Sequence, residues 1–512
     1  MNFFLPLPDR IGLPSKFKDW RLDQDQAVLR SIDSDKRFVA HAMSTGGGKS
    51  LVYMAQALLT GARTCILTST KALQNQLTHD FRNLVDIRGQ GNYQCLALTE
   101  QGEFSHLLGS NKWHGCDEGP CHYEDHKCSL KDKGCLYFDA LRRAKSAKIV
   151  VTNYAYWMAI NNYGEGLGHF DLLILDEAHS VAVDELPSFL KIVIGKEEIR
   201  KLITGATIPE NENLEDWKHW ALTVISELNK KEQHRNVRKI RENLFKLSTA
   251  KGEWVIEDTG NTVLFDVISP HHYAEPMLFR SIPKVVLFSA TIRPKTCELL
   301  GIDSVDFYEY NSTFPVRNRP IIYLPTIKLQ KNNSSHELWE WVRRIDRIID
   351  GRLDRNGIIH TISYERARFL KEYSIHRDII ITHNSGGVHQ AVKKFKQSDP
   401  PVILVSPCVT TGYDFPGDEC RYQVISKLPF LDTRAKIFQA RKQKDKNYTY
   451  YLVAQELVQM CGRAVRSIED WSENFILDSH WGWFWIKYKD YFPKWFLEAC
   501  RKDNVIPLAP KV

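Results

Sequence analysis

Apolar and polar positions along the chain fall into two alternating patterns. Short runs with consecutive apolar residues recur at Phe38–Ala42, Arg63–Thr68 (RTCILT), Lys148–Thr152 (KIVVT), Phe170–Leu175 (FDLLIL), Lys284–Phe288 (KVVLF), Gly357–His360 and Pro401–Ser406 (PVILVS). Runs of this kind predict strands buried on both faces, and the helical patterns between them predict doubly wound parallel sheets. The runs form two groups that divide near residue 300, which predicts an α/β chain with two such domains. Two segments depart from the alternation. Residues 92–140 carry few strand signals. Residues 180–251 read as helix, with Leu214, Trp217, Ala221, Val224, Ile225 and Leu228 at helical spacing, then Val237, Ile240, Leu244 and Leu247. Residues 228–251 hold eight Lys or Arg against two Glu.

Composition narrows the class. A length of 512 residues corresponds to roughly three domains at about 150 residues each. With 43% apolar and 26% charged residues, neither a wholly disordered chain nor a disulfide-stapled miniature fits. No apolar run approaches the roughly 18 residues of a membrane span. The first residues, MNFFLPLP, lack a basic leader and a long apolar core, so no signal peptide is expected. A soluble, non-secreted, cytoplasmic protein follows as the expectation. The net charge of +7 is mild, and only its clustering bears on nucleic acid. The 11 cysteines are odd in number, and five of them, Cys95, Cys116, Cys121, Cys128 and Cys135, lie within 41 residues. In a reducing compartment such thiols are ligands or free rather than disulfides.

Two motifs carry chemistry. Met43–Ser50 reads MSTGGGKS between the strand Phe38–Ala42 and a helical stretch, Leu51–Leu59. Glycines in such a loop let backbone N–H groups curl around phosphate oxygens. Lys49 would reach the β/γ-phosphates of a nucleotide, and the Ser50 hydroxyl would ligate Mg²⁺. Met43 stands where the full pattern has Gly. Asp176-Glu177-Ala178-His179 directly follows the strand FDLLIL, where open α/β sheets place their ligand crevice. There Asp176 would hold Mg²⁺ through water, and Glu177 would polarise the attacking water.

From here the residues resemble a family, the superfamily 2 helicases, and within it the iron–sulfur XPD/DinG group. Arg21-x-x-Gln24 resembles the adenine-reading Q motif, with Gln26 as a competitor. Thr68–Leu77 (TSTKALQNQL) resembles motif Ia, Ser289-Ala290-Thr291 motif III, Gly357–Tyr364 (GIIHTISY) motif IV, Thr411–Phe415 (TGYDF) motif V, and Gln459–Arg466 (QMCGRAVR) motif VI. Gln459, Arg463 and Arg466 would share one helix face and offer two guanidiniums to a γ-phosphate. The resemblance implies catalytic roles for Lys49, Asp176, Glu177, His179, Gln459, Arg463 and Arg466. It implies ATP and Mg²⁺ contacts from Arg21, Gln24, Thr45, Gly46, Gly47, Gly48, Lys49, Ser50, Asp176, Gly412 and Asp414. It also implies two RecA-like domains, the first with two insertions. The expected division is 1–91, 141–179 and 252–300 for the first domain, 92–140 for an iron–sulfur domain, 180–251 for a helical arch, and 301–512 for the second domain.

The cysteines lie between motifs Ia and II, where the XPD/DinG group carries its cluster domain. Cys95, Cys121, Cys128 and Cys135 are the expected 4Fe-4S ligands, with Cys116 as an alternative. Four thiolates also suit tetrahedral zinc. Leu136 departs from the Pro that follows the last ligand in the family. The implied activity is ATP-driven 5′-to-3′ translocation on single-stranded DNA and unwinding of forked duplex by a monomer, in a bacterial or phage-infected cell. Two rivals remain: a RecQ-like 3′-to-5′ zinc-containing helicase, and an ATP-gated single-strand binding adaptor that does not unwind. The RecQ-like zinc site follows motif VI, whereas these cysteines precede motif II. The basic stretches Lys131–Lys148 (Lys131, Lys133, Arg142, Arg143, Lys145, Lys148) and Arg434–Lys446 are candidates for phosphate contacts. Tyr154, Tyr156 and Trp157 are candidates for base stacking. The Trp-rich tail (Trp481, Trp483, Trp485, Trp495) reads as packing.

Overall fold

A computed structural model of the chain describes residues 5–99, 101–102, 113–122, 127–228, 235–330, 332–361, 363–409, 413, 415–432, 434–462, 465 and 469–510. Its strands, in chain order, are β1 (Phe38–Ala42), β2 (Thr64–Thr68), β3 (Val85–Asp86), β4 (Ile149–Asn153), β5 (Leu172–Asp176), β6 (Ile192–Gly195), β7 (Trp254–Asp258), β8 (Thr262–Val267), β9 (Lys284–Ser289), β10 (Val305–Glu309), β11 (Ile321–Tyr323), β12 (Gly357–His360), β13 (Ile380–Ile381), β14 (Ile403–Ser406), β15 (Tyr422–Ile425), β16 (Glu473–Ile476) and β17 (Cys500–Lys502). Two seven-stranded sheets form, in the orders β10-β1-β9-β5-β2-β4-β3 and β13-β14-β12-β15-β16-β11-β17. Every pairing in both sheets is parallel.

The two-faced burial that the apolar runs predict is present. Leu173 and Leu175 of β5 enter one core and Leu172 and Ile174 the other. Val285 and Leu287 of β9 divide from Val286 and Phe288 in the same way. Because all strands run in one direction, their C-terminal ends share one rim of each sheet, where ligands bind in this architecture. Register levels the chemistry along that rim, with Ala42 opposite Ser289 and Asp176 opposite Phe288.

A third sheet, β6-β8-β7, is antiparallel and lies in the chain after Asp176. It packs with the helices Leu214–Leu228 and Arg235–Ser248 around Trp217, Leu244 and Phe265. The periodicity of residues 180–251 reads as helix throughout, yet β6 lies among them. Its four residues alternate buried and exposed, too short a stretch for a period of two to register. Among the described residues no helix is long and apolar enough to cross a membrane.

Candidate active site

The chain leaves β1 and turns at once, with the Met43 N–H donating to the Ser289 carbonyl at 3.1 Å. Gly46 and Gly48 then take φ values of 73° and 74°, a left-handed backbone that glycine adopts freely. The helix Lys49–Thr60 follows, with its N-terminus facing the loop. Gln24 lies beneath this loop, buried to 1% exposure. Its Nε2 donates to the Gly47 carbonyl at 3.0 Å, and its Oε1 accepts the Arg21 N–H at 2.9 Å. A Cβ on Gly48 would stand 2.2 Å from that Nε2. Gln24 therefore props the loop, and its amide is spent on backbone. Gln26 is exposed and accepts from Arg30 at 3.4 Å, away from the loop. The Arg21 guanidinium reaches the Gly46 carbonyl at 3.5 Å.

Asp176 ends β5 and is 6% exposed. Burial, then the adjacent Glu177, raises its carboxyl to about 6, against the pull of Lys49. Tyr53 donates to its Oδ2 at 3.4 Å, and Tyr154 donates to its backbone carbonyl at 2.7 Å. Burial pushes both phenols well up, so they remain donors. Glu177 sits at φ 51°. That conformation costs a non-glycine residue on the order of 1 kcal/mol, and here it aims the carboxylate back at the loop. Lys49 Nζ is 3.7 Å from Glu177 Oε1, so the cation is held at the mouth of the loop. His179 Nδ1 lies 3.3 Å from Glu177 Oε2 and 2.8 Å from Ser289 Oγ.

The second domain reaches this cluster. Gln459 Nε2 approaches His179 Nε2 and Thr291 Oγ1, each at 3.3 Å. A Cβ on Gly462 would stand 3.4 Å from the Thr45 side chain, so motif VI lies against the phosphate loop. Arg463, Arg466, Gly412 and Asp414 lie outside the described residues. Lys49, Ser50 and the loop N–H groups could hold a triphosphate, and Asp176 could hold Mg²⁺. The glycine cradle, the helix N-terminus and the buried carboxylate fit both.

Among its described residues the cysteine segment has single 3₁₀ turns and an isolated antiparallel bridge, Gln94–Gly115, before Cys135, which caps the helix Leu136–Ser146. Cys116 Sγ is 4.0 Å from Cys135 Sγ. A Cβ on Gly119 would stand 3.3 Å from Cys95 Sγ and 3.6 Å from Cys121 Sγ. Hydrogen bonding with the Cys116 thiol holds Cys95 down at about 7 and Cys135 down at about 6. The same two partners push Cys116 well up. Burial raises Cys121, reinforced by Cys128. Soft, partly buried thiols fit a thiolate-bound iron–sulfur group or zinc. Among the described residues no group of three or more His, Cys, Asp or Glu side chains is arranged to hold a metal ion; the thiols gather without closing into a cage.

Comparison with known proteins agrees with this layout. A model described as "Helicase C-terminal domain" matches residues 354–499, and one described as "Type III restriction enzyme, res subunit" matches residues 17–210. The ATP-dependent DNA helicase YoaA of Escherichia coli is 26% identical over 237 residues, 37% of each chain. Its Haemophilus influenzae counterpart is 26% identical over 208 residues, 31% of this chain and 32% of that protein. The matches thus span about a third of these relatives' length. A solved XPD helicase superposes with a TM-score of 0.61 at 14% identity, covering 98% of this chain and 100% of that one. The Xpd4 structure from S. tokodaii gives 0.60 at 12%, covering 94% and 99%. In fold, then, the chain is similar to XPD helicases, and over about a third of its length its sequence is similar to the YoaA helicases.

Several residues hold places the sequence alone did not assign. Tyr154, Tyr156 and Trp157 are not exposed stacking platforms. They are 0%, 8% and 1% exposed and fill the core beneath Asp176, with Trp157 Nε1 donating to the Leu278 carbonyl at 2.9 Å. The basic stretch from Arg434 is largely committed within the protein. Lys436 pairs with Glu212 at 2.8 Å, Lys444 pairs with Glu253, and Arg441 donates to the Val267 and Ile268 carbonyls at 2.9 and 3.2 Å. In the other basic stretch, Lys145 pairs with Glu165 at 2.9 Å and Arg142 with Asp139. Of the tail tryptophans, Trp481 and Trp495 are buried, whereas Trp483 is 45% exposed.

Proposed function

We propose that the protein is an ATP-driven DNA helicase that moves 5′ to 3′ along single-stranded DNA and unwinds forked duplex. The observation that carries this reading is Gln459, a residue of the second domain placed against His179 and Thr291 of the first. A nucleotide bound on the first domain is thereby sensed by the second, and the relative movement of two such domains can be converted into steps along a strand. The relatives' name, ATP-dependent DNA helicase, supports the activity. The 5′-to-3′ polarity rests on the family resemblance.

In this reading Lys49 leaves Glu177 for the β/γ-phosphates as ATP enters, and the loop N–H groups close on the phosphate oxygens. That exchange frees the Glu177 carboxylate to polarise the attacking water, with His179 fixing its direction. Asp176 and Ser50 would hold Mg²⁺, which would neutralise charge on the phosphates. Arg463 and Arg466 are assigned to the γ-phosphate on the strength of the motif. Cys95, Cys121, Cys128 and Cys135 are the thiols we assign to a 4Fe-4S cluster, with Cys116, whose Sγ lies 4.0 Å from Cys135 Sγ, as the alternative ligand. Such a cluster would supply a cross-link between thiols that lie far apart along the segment.

Strand displacement on forks with a 5′ or a 3′ loading tail, with and without ATP, tests the function. Unwinding from the 5′ tail with ATP alone is expected. ATP hydrolysis without displacement on either fork would identify a translocating or clamping adaptor, and displacement from the 3′ tail would reverse the polarity.

A further inference from the structure

Motif III is gripped at each of its three residues by a different part of the molecule. Ser289 Oγ meets His179 Nδ1 at 2.8 Å. Thr291 Oγ1 meets Gln459 Nε2 at 3.3 Å. The residue between them has an apolar side chain, so only its backbone can be held. The Ala290 carbonyl accepts a hydrogen bond at 3.2 Å from the indole Nε1–H of Trp495, 205 residues further along the chain. Trp495 is 4% exposed and stands where three parts of the protein meet. It lies in the helix Lys494–Ala499 of the second domain. Its backbone carbonyl accepts from Arg319 in the segment joining the two sheets, and that guanidinium lies 5.7 Å from the indole ring centre.

The Ala290 carbonyl and the Thr291 N–H belong to one planar peptide unit. Trp495 holds its oxygen, and the Ser289 hydroxyl accepts its N–H at 3.0 Å. A plane held at both ends cannot rotate, and its orientation sets the direction of the Thr291 side chain towards Gln459. Packing alone would be met by any large ring at this position. The indole N–H adds a directional bond that a phenyl ring lacks.

We propose that Trp495 is a positioning residue: from the interdomain hinge it fixes the motif III peptide, so that Thr291 and Gln459 meet only when the two domains are correctly seated. Its enzymatic consequence rests on the ATPase reading above; its structural consequence does not. Trp495→Phe keeps a ring and removes the donor. Tyr451→Phe is the control. Its hydroxyl makes another buried bond across the same interface, to Thr296 Oγ1 at 2.7 Å, without touching the motif III peptide.

The test measures ATP hydrolysis with saturating single-stranded DNA, and amide hydrogen exchange over residues 289–296, in both variants and wild type. Thermal melting verifies that each variant is folded. For Trp495→Phe the expected result is a kcat about fivefold lower, the size of one modest hydrogen bond, with KM for ATP unchanged and faster exchange at Thr291. Tyr451→Phe is expected to leave kcat and the Thr291 exchange as in wild type. Unchanged exchange at Thr291 in Trp495→Phe overturns the proposal, as does an equal loss of kcat in both variants. If wild type hydrolyses no ATP, the functional reading fails, and the exchange result alone decides the role of Trp495.

Discussion

Asp176 and Glu177 are neighbours with opposite demands. Glu177 must stay ionised to polarise water, and Glu177→Gln keeps its shape while removing that charge. Hydrolysis is expected to fall by about 10²–10⁴-fold while nucleotide binding persists, which stopped-flow binding of a fluorescent ATP analogue alongside a phosphate-release assay would reveal. Retained hydrolysis would remove Glu177 from the role. Asp176 is held at about 6 chiefly by burial, above the ordinary value of about 3.9. Between those values the folded state keeps a proton that the unfolded state has released. Stability contributed by this group is therefore full below the lower value, declines as pH rises through the window, and is flat above about 6. At neutral pH its ionised form costs on the order of 2–3 kcal/mol. Asp176→Asn should accordingly raise the melting temperature of the nucleotide-free protein at pH 7.5, narrow that gain near pH 4.5, and abolish Mg²⁺-dependent hydrolysis. A melting temperature unchanged at both pH values would show that no such cost exists.

At the scale of elements, the cysteine segment joins two kinds of support. Its flanks are anchored in the main core, where Leu98, Tyr137 and Ala140 are 7%, 2% and 0% exposed. Between them, the described residues form 3₁₀ turns and carry the thiols. Spacing in the chain gives Cys121, Cys128 and Cys135 as a regular series and sets Cys116 aside. Folded geometry adds Cys116, which lies beside Cys95 and Cys135, while Cys128 is a near neighbour of Cys121. Cys128→Ser is expected to lose iron in anaerobically purified protein, and Cys116→Ser to retain most of it. Iron analysis with the visible absorption spectrum reads both directly, and the reverse pattern would put Cys116 in the ligand set in place of Cys128.

At the scale of the whole molecule, the arrangement joins the second domain to the antiparallel module inserted in the first. Lys436–Glu212, Lys444–Glu253 and the Arg441 bonds to Val267 and Ile268 all lie in that contact. A lysine already paired with a carboxylate releases few counterions when DNA binds. Replacing Lys436 and Lys444 together by Ala should leave the slope of log K against log salt for single-stranded DNA within about one unit of wild type. Two direct phosphate contacts would lower the slope by about 1.4. A drop of that size would return these residues to the DNA path.

Seven of the seventeen strands among the described residues, their two-sided burial and the placing of Lys49, Asp176 and Ser289–Thr291 after strand ends were legible in the chain alone. Those features depend on local periodicity and on chain order, both written in one dimension. The resemblance to superfamily 2 helicases was legible as well, because the motifs keep their order along the chain. Tertiary structure decided which partner each side chain has. Gln24 could be read as facing a base until its amide was seen bonded to the Gly47 carbonyl and the Arg21 N–H. Tyr154 and Trp157 could have stacked on nucleotides until the core closed over them. Lys436 meets a carboxylate 224 positions away, and Trp495 a carbonyl 205 positions away. Bonds of that span leave no trace in spacing or periodicity, because they exist only once two separately folded sheets have been brought face to face.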